Sequence, residues 1–254
     1  MNKTKKYLVT KPNLLKDIKI EGYLYEHYIR HNNNVYGIIT IDNKEIKKED
    51  WSHKIKMREE DYQKIKTYKL IETKLTEKGN KITNYENAII LTVNFEEKQL
   101  EKIIEKSIEV TNNKYFSDMN LTTSNSKKVI LEGSDFSGKT TLAKKLVNRG
   151  VFVQERDLEN FSYWIRDFIK EPGKIIEEKI KDKEELYIVM TMSDEVLSKR
   201  IKTRENLTEF DKIAAKSNEI YKNLNLKLKN VKRIHIESNE EDSLRKLEGV
   251  MEID

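Results

Sequence analysis

Cysteine is absent from this chain of 254 residues. That excludes disulfides, thiolate metal sites and a cysteine nucleophile, and it fits a reducing compartment. No metal-ligand cluster takes the place of the missing thiols. Proline totals 2 and glycine 8, while Lys, Asn and Ile are abundant, a bias that fits an AT-rich coding genome better than a function. No eighteen consecutive residues are apolar, and the basic start Met1-Asn-Lys-Thr-Lys-Lys6 is followed by only a few apolar residues. Neither a membrane span nor a secretory leader is therefore expected, which leaves a cytoplasmic protein with no membrane partner. A large excess of one charge is also lacking: 49 basic against 44 acidic residues leave +5, a balance that permits a nucleic-acid partner without demanding one.

Charged and apolar residues each make up 37% of the chain. Periodic apolar patterns run through it, so a folded protein with a heavily charged surface is expected. The length suits two modest domains, each with a sizeable core. The stretch 112–127 is rich in Asn, Ser and Thr without apolar periodicity, and the boundary is placed near Ser126. This divides the chain into 1–126 and 127–254.

The chemistry declares itself just after that boundary. Gly133 and Gly138 enclose four residues and are followed by Lys139 and Thr140, completing G-x-x-x-x-G-K-[ST], the pattern of a phosphate-binding loop. Val129, Ile130 and Leu131 before it form a short buried-strand signal. Leu142, Ala143, Leu146 and Val147 after it repeat at helical spacing up to Gly150, a candidate C-cap. Strand, loop and helix thus come in the order that wraps a phosphate chain in backbone N–H groups at a helix N-terminus. The candidate nucleotide-binding residues are Gly133, Ser134, Asp135, Phe136, Ser137, Gly138, Lys139, Thr140 and Thr141. Lys139 is expected to reach the β- and γ-phosphates and Thr140 to ligate Mg²⁺.

Leu131-Glu-Gly-Ser-Asp-Phe-Ser-Gly-Lys-Thr-Thr-Leu142 resembles the loop of thymidylate kinase-like P-loop kinases, roughly F-E-G-x-D-G-x-G-K-[ST]-T. The resemblance covers 127–254, about half the chain. It implies a nucleoside monophosphate kinase using ATP and Mg²⁺, with Asp135 near the substrate sugar. In Val151-Phe-Val-Gln-Glu-Arg-Asp157, the pair Glu155-Arg156 is similar to the family's Asp-Arg pair, in which the arginine helps bind phosphates and the acid sits close by. Glu155 stands where the family has Asp, so either Glu155 or Asp157 is the functional carboxylate; Thr140 and Glu155 are the candidate metal-site residues. Lys199-Arg-Ile-Lys-Thr-Arg204 resembles the family's lid, and Arg200 and Arg204, four apart on one helix face, can converge on one anion.

Length sets the chain apart from this family. Only about ten residues lie between the loop helix and Arg156, where the family inserts a further strand and a substrate-covering segment. The aromatic run Phe161-Ser-Tyr-Trp-Ile-Arg-Asp-Phe168 is either a replacement cover that stacks on a base or one helix's core stripe. Glu185–Met192 reads as a third parallel strand, with Ser193 or Asp194 capping the helix through Val196, Leu197 and Ile201. An amphipathic helix over Phe210, Ile213, Ala214, Tyr221 and Leu224 and a strand Val231–Ile236 precede a charged terminal helix. Strands alternating with helices imply an α/β fold, a P-loop kinase-like parallel sheet with helices on both faces. The resemblance puts the Glu-Arg strand on one side of the first strand and the later two on the other.

The first half reads as a smaller α+β domain of unassigned role. Ile18 to Ile29 and Val35 to Ile41 suggest a hairpin broken at Asn32–Asn34, and Ala88–Val93 a strand. Trp51–Lys66 allows a helix, Thr67–Thr76 either state, and Leu100, Ile103, Ile104 and Ile108 one helix face. His27, His31 and His53 form no catalytic set. Tyr23, Tyr25, Tyr28, Lys54, Lys56, Lys64 and Lys66 are either a nucleic-acid face or an ordinary charged surface over an aromatic core.

Three functions compete at this point. The first is transfer of the ATP γ-phosphoryl group to a deoxynucleoside monophosphate, with Lys139, Asp135, Arg156, Arg200 and Arg204 as the catalytic set. The second is a kinase for a nucleic-acid 5′ end or a modified base. The third is a nucleotide-binding interaction protein without turnover. A homodimer is compatible with each.

Overall fold

The computed structural model describes residues 4–31, 34–41, 53–55, 70–117, 120–121, 128–155, 177–178, 180–181, 183–203, 213–224, 227–238 and 245–246. Arg156, Asp157, Phe161–Phe168, Arg204 and Phe210 lie outside them, as does most of the expected terminal helix. The chain divides into two compact units, Met1–Ser126 and Lys127–Asp254.

The first unit is built on an antiparallel sheet of strands β1 (Lys5–Leu8), β2 (Ile20–His31), β3 (Asn34–Ile41), β4 (His53–Ile55), β5 (Leu70–Thr76), β6 (Lys81–Asn84), β7 (Ile89–Val93) and β8 (Ile108–Glu109). Their order is β4-β3-β2-β5-β6-β7-β1-β8. β2 and β3 form the expected hairpin, pairing from Leu24↔Ile41 to His31↔Asn34. Two expectations need correcting. His53–Ile55 is extended and pairs with β3, so the helix allowed over Trp51–Lys66 fails there: cross-strand pairing supplied a backbone partner that local propensity cannot register. Helix α1 spans only Glu101–Lys106, and Ile108 pairs with Leu8 as a strand residue, because Ser107 at the C-cap is extended, at φ −100 and ψ 172. Thr67–Thr76, open between states in the sequence, is strand from Leu70 onward. One face of the sheet buries Tyr7, Val9, Ile82 and Leu91 against Leu100 and Ile103.

In the second unit, strands β9 (Val129–Gly133), β10 (Val153–Glu155), β11 (Leu186–Met192) and β12 (Val231–Ile236) pair in the order β10-β9-β11-β12. All three pairings are parallel. β10 and β11 thus flank β9, as the resemblance implied. Every residue of β9 and all but the first of β11 are buried, so both faces at the sheet centre are covered, and the near-continuous apolar runs follow from that. Helices α2 (Lys139–Asn148), α3 (Asp194–Lys202) and α4 (Ala214–Asn223) accompany the strands. Tyr221 and Leu224 at the end of α4 pack on Ile130, Tyr187 and Val189.

Local signals account for the helix ends. α2 stops before Gly150, which takes φ +86 and donates its N–H to Val147 O at 3.0 Å. At α3 the cap is Ser193, whose Oγ accepts from Val196 N at 3.3 Å. Asp194 and Glu195 lie in its first turn and Lys199, Arg200 and Lys202 in its last, each sign at the dipole end that favours it. Asn218 of α4 is fully buried. Its side chain donates to Met192 O at 2.8 Å and accepts from Met192 N at 3.1 Å.

Candidate phosphate-binding site

The connection from β9 to β10 runs to one side of the sheet and that from β11 to β12 to the other. The carboxyl ends of β9 and β11 therefore flank a topological switch point, where open parallel sheets place their ligands. The loop from Gly133 to Gly138 leaves β9 at that point, and α3 starts from the end of β11.

Two glycines permit the turn. Gly133 has φ +143, and a Cβ built on it would lie 2.2 Å from Met190 O, so β11 passes too close for any side chain. Gly138, at φ +85, is the N-cap of α2. Phe136 lies between them with φ +66, a left-handed backbone that costs a non-glycine residue on the order of 1–3 kcal/mol. The first turn of α2 follows directly, and the N–H groups of a first helical turn have no partner four residues back.

Lys139 is only 6% exposed, and its ammonium is turned back into the loop. Nζ donates to Gly133 O at 2.9 Å, Ser134 O at 2.6 Å and Ser137 Oγ at 3.3 Å. A buried ammonium is tolerable only with its donors satisfied, and here loop oxygens do that. Thr140 donates from Oγ1 to Glu155 Oε2 at 2.7 Å. Glu155 ends β10 and is 1% exposed, so β9 brings the loop and β10 the carboxylate to one place. Arg200 of α3 reaches the loop from the other side of the switch point, its Nη1 donating to Phe136 O at 2.6 Å.

Of the residues expected at the site, Gly133 to Thr141, Glu155 and Arg200 are thus gathered at one end of the parallel sheet, with Asp135 half-buried in the loop's turn. Arg156 and Arg204 lie outside the described residues. Arg200 meets a main-chain carbonyl here, a contact that four-residue spacing could not anticipate. Ser134 Oγ is buried without a hydrogen-bond partner.

The sequence reading missed Glu132. It is 1% exposed at the next-to-last position of β9, and Tyr221 OH donates to its Oε2 at 3.0 Å. A glutamate inside the run Val-Ile-Leu-Glu-Gly signals a buried acceptor in need of a donor; that the donor is Tyr221, 89 residues on, has no sequence signal.

A hydroxyl against a buried carboxylate offers hard oxygen donors, the set that suits Mg²⁺ when phosphate and water complete its shell. Among the described residues, no group of three or more His, Cys, Asp or Glu side chains could hold a metal ion by itself, and no helix is long and apolar enough to cross a membrane. Comparison with protein-family models, with curated proteins and with solved structures finds no match to this chain.

Proposed function

We propose that the second unit is a P-loop kinase of the thymidylate kinase type, transferring the γ-phosphoryl group of ATP to a phosphate oxygen of a deoxynucleoside monophosphate. ADP and a nucleoside diphosphate would be the products. One observation carries this reading: a lysine ammonium is stored inside its own glycine-bounded loop, while the next residue's hydroxyl meets a buried carboxylate from the neighbouring strand. Lys139 would exchange its carbonyl acceptors for phosphate oxygens, and Thr140 with Glu155 would hold Mg²⁺. Magnesium neutralises charge on the phosphate chain during transfer. Asp135 would face the acceptor, and catalysis would consist of positioning and electrostatics. The cytoplasm is the compartment this substrate implies.

A second reading draws on a specific observation. α2 ends at Asn148 and β10 begins at Val153, so the monophosphate-covering arm of the resembled family has no room there. That favours an acceptor held by other means, such as a nucleic-acid 5′ end bound through the first unit. A panel with γ-labelled ATP separates the readings by offering dTMP, the other monophosphates, hydroxymethyl-pyrimidine nucleotides and 5′-hydroxyl DNA and RNA. Label on a monomer supports the first and label on a polymer the second. Nucleotide binding with no label on any acceptor leaves a binding protein without turnover.

A further inference from the structure

Phe136 is the part of the loop for which the glycine-lysine motif gives no reason. It occupies the left-handed region at φ +66, as Gly138 does at φ +85, while Ser137 between them does not. Alternation of this kind turns N–H groups toward one side as an anion-binding concavity and leaves carbonyls to find partners elsewhere; in this loop the Ser137 N–H is drawn inward, donating to Ser134 O at 3.4 Å. The Phe136 carbonyl finds Arg200 Nη1 at 2.6 Å. The same nitrogen would lie 3.6 Å from a Cβ built on Gly138, so the guanidinium rests against residues 136–138.

We infer that Arg200 is a positioning residue: by holding the Phe136 carbonyl it keeps the crown of the loop in the left-handed arrangement that presents N–H groups to a phosphate chain. It does this without binding the phosphate itself. The inference rests on the phosphate-loop reading and departs from the charge clamp expected of Arg200 with Arg204. It also gives the bulky residue at 136 a reason. Glycine would take that backbone unaided, whereas phenylalanine takes it with the help of α3, so the loop becomes competent only when α3 is docked on it.

The test is equilibrium binding of ADP and inorganic tripolyphosphate to the full chain, each variant checked for folding by circular dichroism. Arg200→Ala should weaken both ligands by roughly tenfold, the size of a typical coupling between contacting groups. Measured in a Phe136→Gly background, the same change should weaken them less than about threefold, because glycine no longer needs the brace. If the loss in the Phe136→Gly background stays near tenfold, Arg200 acts on the phosphate directly and the positioning role is overturned; an Arg200→Ala variant that binds both ligands as well as the unaltered chain overturns it too. Failure of the underlying reading looks different: the unaltered chain would bind neither ligand, or Lys139→Ala would bind both as well as the unaltered chain does, and the inference would fall with it.

Discussion

The two units bury polar groups of different kinds. Among the residues of the first whose side chains the structure describes, the buried polar ones are all neutral: Thr10, Thr73, Thr76, Asn80, Thr83 and Asn87. In the second they include Glu132, Lys139 and Glu155. Neutral groups suffice where the task is to finish a turn or link strands. Asn80 accepts from Asn94 N and Phe95 N at 2.8 and 3.0 Å and donates to Phe95 O at 2.9 Å, tying the β5–β6 turn to the end of β7. Thr73 and Thr83 join hydroxyls across β5 and β6 at 3.0 Å. Burying an ion costs several kcal/mol that its contacts only partly return. Among the described residues, the three charged side chains buried in the second unit lie at or beside the candidate site, two of them at the loop and Glu132 on the strand that leads into it.

The sharpest way to break this contrast is Lys139→Ala. On the kinase reading, the rate of phosphoryl transfer from ATP should fall by roughly two orders of magnitude or more in a variant shown to be folded by circular dichroism. An unchanged initial rate in the folded variant would remove the functional half of the comparison. Asn80→Ala probes the other half. It strands two backbone N–H groups and a carbonyl, removes the Nδ2 donor to Glu97 Oε2 at 2.9 Å, and should lower stability by about 2 kcal/mol in chemical denaturation while ADP affinity stays as it was. A matching loss of ADP affinity would mean that the units are not energetically separate.

The smallest effect concerns acid. Burial pushes the Glu97 carboxyl up, but hydrogen bonds from Thr76, Gln99 and Asn80 and the charge of Lys78 outweigh it and hold the group below its ordinary range. A carboxylate depressed in the folded state adds stability above its unfolded pKa, and that stability is lost as pH falls through the folded value. The contribution should therefore be present at pH 7 and fade below about pH 4. Glu97→Gln should accordingly lower the urea midpoint at pH 7 and differ less from the unaltered chain at pH 3. A gap that is constant with pH would show that the charge adds nothing.

Much of the second unit was legible because its signals are local. Val129–Leu131 and Leu186–Met192 are apolar runs of strand length, α2 carries a 3.6-residue stripe, and Ser193 caps the turn it precedes. The turn of the loop was legible at its glycines, since Gly133 and Gly138 both take positive φ, a backbone that glycine adopts without steric cost. What could not be read was non-local. Tyr221 on Glu132, Asn218 on Met192 and Arg200 on Phe136 join residues 89, 26 and 64 apart, and no periodicity encodes such meetings. In the first unit, the short β4 took its state from its neighbour β3, and Ile108 was counted into a helix that had already ended.

The side chain of Asn218 has a further consequence at Met192. β9 pairs with β11 only as far as Gly133↔Met190, where its chain turns away into the loop, and Ser193 N is already bonded to Ile236 O on the opposite side. Asn218 thus stands in the lane that β9 vacates, offering one amide where a strand residue would have been. Protection of the Met192 amide against hydrogen exchange is therefore set by the docking of α4 rather than by the sheet. That single proton should exchange faster than its neighbours at Met190 and Ile188 whenever α4 lifts, making it a clock for helix undocking at the edge of the loop.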